Sequence, residues 1–258
     1  MRSNLRLILD ANNLAYRGNV TNKLTTKQGE QVGAIYGTLQ MIQSYLKPTS
    51  GGFTNRIYKA LEQEGIHGKV FTRVIACWDH GKSQYRKELY PEYKAQREKK
   101  RREKTEEEKE DYMEFIRQMN ELHDFLPNLG VISLKSKGWE ADDLIYVATT
   151  QNTEDITVIV TTDRDMLQLV DEKVFVWSPF KEKLITPANF VQETGVSKES
   201  YLDFRALVGD SSDNIKGVPG IGEKTAKSLI LRYGNMGGIL KGQTELRKSV
   251  RTARIFEN

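Results

Sequence analysis

The sequence predicts an α/β fold, with a mostly parallel central sheet and helices on both faces, and three observations support this. Three β-branched or otherwise apolar runs are separated by longer stretches of helical periodicity, the alternation that lays parallel strands under covering helices. Each of these runs ends in aspartate, at what would be the carboxyl edge of the sheet. After about residue 187 the strand signal fades and short helical segments separated by glycines take over, so the carboxy-terminal region is expected to be helical.

The elements follow in order. LRLILD (5–10) is a strand, residues 32–46 are a helix, TSGGFT (49–54) reads as a loop, and residues 58–64 are a second helix. VFTRVIACWD (70–79) is the second strand. A helix over 105–125 opens with Thr105 and Glu108 at capping-box spacing. GVISL (130–134) is a short strand, LIYVA (144–148) starts a helix that runs onward, and ITVIVTTD (156–163) and VFVWS (174–178) are further strands. The glycine-rich GVPGIG (217–222) turns into a helix over 223–233, and no internal repeat of fixed period is present.

Composition narrows the function classes. With 258 residues, 38% hydrophobic and 29% charged, the chain is long enough for a sizeable core and reads as a globular protein. No apolar run approaches the roughly 20 residues of a membrane span, and MRSNLRLILD passes straight into a strand pattern, so an intracellular setting is expected. The single cysteine, Cys77, excludes an intramolecular disulfide or a cysteine-based zinc finger and reads as a core thiol. A net charge of +4 is mild, and its distribution carries more information.

In open parallel sheets the ligand site lies outside the carboxyl ends of the strands. Asp10, Asp79 and Asp163 would converge there, with Asp165 two residues on and Glu140, Asp142 and Asp143 of GWEADDL (138–144) at a neighbouring helix start. Helix capping explains one or two acids at a helix N-terminus, where about half a unit of positive charge is available, but it does not explain the whole set. Two carboxylates about 4 Å apart repel by roughly 4 kcal/mol at an effective dielectric of 20, so such a basin calls for a cation. Carboxylate oxygens without histidine or thiolate suit magnesium or manganese rather than zinc, and phosphoryl transfer assisted by two such ions uses this arrangement.

Two further regions carry charge. In LVGDSSDNIKGVPGIGEKTA (207–226), Asp210 and Asp213 lie three apart and would share a face if they occupied one helical turn; they could complete the basin. Lys216, Lys224 and Lys227 flank the Gly217, Gly220 and Gly222 turn, whose N–H groups could approach a phosphate. Between residues 93 and 105, Lys94, Arg97, Lys99, Lys100, Arg101, Arg102 and Lys104 face only Glu98 and Glu103. A solvated helix face accounts for most individual lysines in such a run. Beside Tyr85, Tyr90 and Tyr93, however, a one-signed stretch suits single-stranded nucleic acid.

LILDANNLAYR, ACWDHGKSQYRKELYPEYKAQR, GWEADDL, VTTDRDMLQL and VGDSSDNIKGVPGIGEKTA together resemble the 5′ nuclease family, which includes bacteriophage flap endonucleases and the 5′-to-3′ exonuclease domain of bacterial DNA polymerase I. The motifs agree in order and approximate spacing from about residue 5 to 233. The resemblance implies a PIN-like 5′ nuclease core over 1–186 that includes a basic helical arch at about 85–125. It implies a helical DNA-binding region over 187–258, with a helix–three-turn–helix element at about 203–233. By the same resemblance Asp10, Asp79, Glu140, Asp142 and Asp143 would hold one divalent ion, and Asp163, Asp165, Asp210 and Asp213 a second. Lys94 and Arg97 would contact the scissile phosphate, Tyr93 would stack a terminal base, Arg17 would touch substrate, and Lys224 would meet duplex backbone at a turn that can also bind potassium.

The expected reaction is in-line hydrolysis of a phosphodiester in DNA bearing a 5′ flap, 5′ end or RNA primer, yielding a 5′-phosphate and a 3′-hydroxyl. The expected setting is a monomer in the cytoplasm of a bacterium or phage-infected cell. Residues 47–69 form a longer segment than the smallest phage members have, which bears on the grip far from the cut. The alternatives are a branched-DNA-binding protein without catalysis, a PIN-type ribonuclease, or a phosphatase reading Asp163-Arg164-Asp165 as its D-x-D motif; neither of the enzymes needs both the basic run and the GVPGIG turn.

Overall fold

Residues 4–48, 54–151 and 154–256 are described in the computed structural model, so residues 49–53 of the expected loop lie outside it. In chain order the first elements are β1 (Leu5–Asp10), α1 (Ala11–Thr21), α2 (Gly33–Leu46), α3 (Arg56–Gln63), β2 (Phe71–Trp78), α4 (Gln84–Leu89), α5 (Ala95–Arg102) and α6 (Glu106–Phe125). There follow β3 (Ile132–Lys135), α7 (Ala141–Thr150), β4 (Ile156–Val160), β5 (Val174–Ser178) and β6 (Lys183–Ile185). The remainder is α8 (Phe190–Thr194), α9 (Tyr201–Val208), β7 (Gly209–Asp210), β8 (Ile215–Lys216), α10 (Glu223–Tyr233), α11 (Met236–Lys241), α12 (Gln243–Leu246) and α13 (Val250–Ala253).

The chain divides into two units, one of residues Met1–Ser83 with Lys104–Thr186, the other of Gln84–Glu103 with Pro187–Asn258. In the first, the sheet runs β3-β2-β1-β4-β5-β6, parallel throughout except for β6, which pairs antiparallel with β5. Alternation along β1 sorts the two faces. Leu5, Leu7 and Leu9 join Val74, Ala76, Trp78, Val158, Val160 and Phe175 in one core, covered by Leu14 of α1, Ile42 of α2, Ile57 and Leu61 of α3, and Leu122 of α6. On the opposite face Arg6, only 2% exposed, donates to the carbonyl of Ala148 in α7 at 3.0 Å and to the Thr157 hydroxyl at 2.8 Å, beside Asp155 at 3.7 Å. Helices thus lie on both faces, as the periodicity implied.

The α6 helix starts with the full capping box of Thr105 and Glu108. One turn of it serves a neighbour: α2 has no side-chain cap of its own, and the fully buried Gln118 accepts the Ala34 N–H at 2.9 Å, meeting a donor that the helix start leaves open. The Cys77 thiol is buried, and desolvation pushes its pKa up to about 12, as fits a core thiol.

The structure departs from the sequence pattern at several places. The α1 helix has no apolar periodicity to announce it, because ANNLAYRGNVT is polar and its buried face reduces to Ala11, Leu14, Ala15 and Gly18. The β6 strand, KLI, is too short to register as a run. Asp210 and Asp213 do not share a helical turn: α9 ends at Val208 and the chain makes a two-stranded hairpin, β7 with β8. That hairpin needs its glycine, since a Cβ on Gly217 would stand 2.3 Å from the Val208 carbonyl group.

The segment drawn as one arch over 85–125 is divided, with residues 84–103 grouping with 187–258. The hydrogen bonds explain this. The Lys94 N–H donates to the Asp213 carbonyl at 2.9 Å, and the Asn214 side chain donates to the Glu92 carbonyl at 2.8 Å. No helix among the described residues is long and apolar enough to cross a membrane.

Candidate functional site

The strand order has a consequence for chemistry. From β1 the chain builds outward through β2 and β3, then returns to the other side of β1 with β4 and β5, so the carboxyl ends of β1 and β4 flank the crevice where such sheets bind ligands. Asp10 is the last residue of β1, Asp79 follows β2, Asp163 follows β4 by three residues, and Glu140 is the residue before α7 in the connection from β3. Four consecutive parallel strands therefore each deliver a carboxylate to one edge.

Local bonding fixes each one. Asp10 accepts the Thr161 hydroxyl at 2.7 Å and the Asn13 N–H at 3.2 Å. Burial pushes its pKa up to about 7; those two hydrogen bonds oppose the rise, while the charges of Asp79 and Asp163 add to it. Asp79 accepts the N–H of Ala141, first residue of α7, at 2.7 Å, and its own N–H is held by the Asn12 side chain at 2.9 Å. Glu140 and Asp143 form a reciprocal capping box, with the Glu140 N–H donating to Asp143 at 3.0 Å. Capping therefore explains part of the acidic GWEADDL, and Asp142 lies half-buried in the same turn. Asp163 accepts the N–H of Asp165 at 2.8 Å, and its own N–H goes to the Thr161 hydroxyl at 2.9 Å.

Among the described residues no three acidic, histidine or cysteine side chains are gathered closely enough to form a metal-holding group. Each of Asp10, Asp79, Asp143 and Asp163 instead accepts from a backbone N–H or a hydroxyl, an arrangement that mutual repulsion between the carboxylates favours. The donor chemistry nonetheless fits a hard dication, being all oxygen, centred on a half-buried Asp10 whose desolvation outweighs its two hydrogen bonds. Sequence reasoning missed the residues that set this geometry. Asn12 holds Asp79, Thr161 links Asp10 to Asp163, and Asn13 donates to the Thr162 hydroxyl at 2.6 Å. Their only signal was a run of small polar residues beside strand-end aspartates, DANN and VTTD. Arg17, half-buried on α1, lines a cavity of about 270 Å³ with Tyr45, Trp177 and Glu182.

In the second unit the basic segment closes on the β7–β8 hairpin. Asp213 accepts from Arg97 at 2.6 Å and from the Tyr93 hydroxyl at 3.1 Å, with the Lys94 ammonium 3.7 Å away. Tyr93 is only 6% exposed, so in this conformation its ring offers no face for a terminal base. Asp210 pairs with Arg205 at 2.6 Å; against the upward push of burial, the Ser212 hydrogen bonds and Arg205 hold its carboxyl below the usual range. Lys99, Lys100, Arg101 and Arg102 are exposed along α5. In the turn before α10, Gly220 has φ +80°, a left-handed conformation that favours glycine, and Gly222 precedes the helix, with Lys224 exposed in its first turn. Lys216 lies 3.1 Å from Glu92.

Comparison with known proteins divides the chain near residue 195, with residues 84–103 on the amino-terminal side. A family model described as 5′-3′ exonuclease, N-terminal resolvase-like domain, matches residues 5–195, and one described as 5′-3′ exonuclease, C-terminal SAM fold, matches 196–257. The 5′-3′ exonuclease of Bacillus subtilis is 36% identical over 238 residues, covering 83% of this chain and 75% of the relative. A thermostable DNA polymerase I of Thermus filiformis is 36% identical over 237 residues, covering 91% of this chain; the chain spans only 24% of that polymerase.

Among solved structures, bacteriophage T5 5′-exonuclease with bound divalent zinc ions superposes with a TM-score of 0.74 at 24% identity, over 97% of this chain and 83% of that one. A T5 flap endonuclease in a pseudo-enzyme–product complex with DNA and metal ions gives 0.74 at 23% identity, with the same coverage. At such identities the likeness establishes the fold.

Proposed function

The chain belongs to the 5′-3′ exonuclease family, and on that premise we propose that it is a divalent-metal-dependent, structure-specific 5′ nuclease acting on DNA with a 5′ flap, 5′ end or nick. The observation that carries this reading is the set of four carboxylates, Asp10, Asp79, Glu140 and Asp163, at the carboxyl ends of four successive parallel strands around the switch point.

Magnesium or manganese ions held by Asp10, Asp79, Glu140, Asp142 and Asp143, and by Asp163, Asp165, Asp210 and Asp213, would supply positive charge to the attacking and leaving oxygens. Asp213, paired with Arg97 and Lys94 in the structure, would have to exchange those partners to hold an ion. Asp163 is counted with the catalytic groups. Lys94 and Arg97 donate to the scissile phosphate and offset the charge that develops on its non-bridging oxygens. Water attacks phosphorus in line, the bond to the 3′ oxygen breaks, and that oxygen takes up a proton, leaving a 3′-hydroxyl and a 5′-phosphate. Lys99, Lys100, Arg101 and Arg102 attract the single strand, and Arg17, Tyr93 and the turn with Lys216, Gly217, Gly220, Gly222 and Lys224 contact substrate. Potassium would be bound by the carbonyls of that turn. RNA–DNA hybrids are a further substrate class, and the protein acts as a monomer in the cytoplasm, in replication, repair or RNA primer removal.

Incubation with a 5′-labelled flap, with magnesium or with chelator, tests the reading. Cleavage should need the metal, and Asp163→Asn with Asp165→Asn should abolish it while binding stays measurable. Full turnover by that double variant would overturn the assignment.

A further inference from the structure

Lys94 stands in the left-handed region of backbone space, at φ 54° and ψ 17°, a conformation that a lysine rarely adopts unless its surroundings hold it there. Its neighbour in the β7–β8 hairpin, Asn214, holds it there. Asn214, itself left-handed at φ 60° and of a residue type that tolerates this, sends its side chain across the Lys94 turn. Its amide nitrogen donates to the Glu92 carbonyl at 2.8 Å, two residues before Lys94, and its amide oxygen accepts from the Gln96 side chain at 2.9 Å, two residues after. The preceding residue completes the clasp, as the Asp213 carbonyl accepts the Lys94 N–H at 2.9 Å. The Ser212 carbonyl also accepts from the Arg97 guanidinium at 3.1 Å. The turn that presents Lys94 and Arg97 is thus bracketed by one asparagine, bonded to Glu92 on one side and Gln96 on the other.

We propose that Asn214 is the positioning residue that fixes Lys94 and Arg97 for the scissile phosphate, by clamping the backbone of residues 92–96 in its left-handed turn. The inference rests on the nuclease reading above. Its chemistry is geometric: a phosphate-binding lysine displaced by about 1 Å costs up to roughly a hundredfold in turnover, and the clamp removes that freedom before substrate arrives.

Asn214→Gly is the informative variant, because glycine keeps the left-handed conformation available and removes both side-chain hydrogen bonds. It should lower kcat by roughly ten- to a hundredfold while KM changes less than threefold. In a Lys94→Ala background the same change should have a smaller further effect, since one of the two positioned groups is gone and only Arg97 remains. Gln96→Ala, which cuts one arm, should give a smaller kcat loss of the same kind.

A kcat within twofold of wild type in Asn214→Gly, or an undiminished loss in the Lys94→Ala background, overturns the proposal. Limited trypsin digestion separates this from failure of the nuclease reading. Cutting after Lys94 and Arg97 should quicken in Asn214→Gly whatever the protein's activity, and unchanged cutting overturns the clamp. A wild-type protein that cuts no flap refutes the nuclease reading, and with it the positioning role, however trypsin behaves.

Discussion

Replacing Asp10 by asparagine should make the metal-free protein more stable at alkaline pH while destroying its activity, and the pH dependence can be worked out in advance. The Asp10 carboxyl rises from 3.8 to about 7 on folding, so between those values the native state binds a proton that the unfolded chain has released. Stability from this group is therefore fully present below pH 3.8, falls as pH rises, and is lost above 7. At about 1.4 kcal/mol per pKa unit the whole span is worth ~4 kcal/mol against the ionised native state.

Asparagine has no charge to desolvate and keeps an oxygen for Thr161 or Asn13, so it escapes that cost at the expense of roughly 1 kcal/mol for the hydrogen bond it weakens. The hydrogen-bond loss does not depend on pH and cancels in a difference. The gain of Asp10→Asn over wild type should thus be larger at pH 8 than at pH 5 by about two pKa units, or ~3 kcal/mol. Denaturant unfolding in chelator at both pH values measures it. Magnesium should then stabilise wild type more than the variant. A gain that is the same at pH 5 and pH 8 would refute both the burial of this anion and the reason given for a cation beside it.

Other outcomes follow from the same geometry. Neutralising Lys99, Lys100, Arg101 and Arg102 together should weaken DNA binding at low salt and reduce the slope of log affinity against log salt by roughly three, read by titration at several ionic strengths. Gly217→Ala should cost ~2–3 kcal/mol in chemical denaturation, because its new methyl group would stand 2.3 Å from the Val208 carbonyl and must push the hairpin away. A change below 0.5 kcal/mol there would mean that the close approach is not what selects glycine.

Much of the first unit was legible because its signals are local. A strand buried on both faces of a parallel sheet is mostly apolar along its length, and VFVWS (174–178) and LRLILD (5–10) match β5 and β1 residue for residue, with Arg6 the buried exception. The Thr105 capping box and the helix over 223–233 were equally plain, since a cap or a glycine at φ +82° after Tyr233 marks its own boundary. The aspartates at strand ends could be assigned to one edge from the sequence, because parallel strands leave no other place for their carboxyl ends.

Only the folded chain decided what those carboxylates lean on and which polar residues hold them. Asn12 reaches across 67 positions to Asp79, Thr161 across 151 to Asp10, and Asn214 across 122 to Glu92. No periodicity or spacing encodes a side-chain hydrogen bond between residues so far apart; it exists once the sheet order and the hairpin have brought them together. The sequence by itself determined the acids, the bases and the edge on which the strand-end acids gather. The tertiary structure determined that Asp213 is held by Arg97 and Lys94, and that Asp210 lies in a hairpin rather than a helix. A charge finds its partner through space, and the chain's local pattern has no record of that distance.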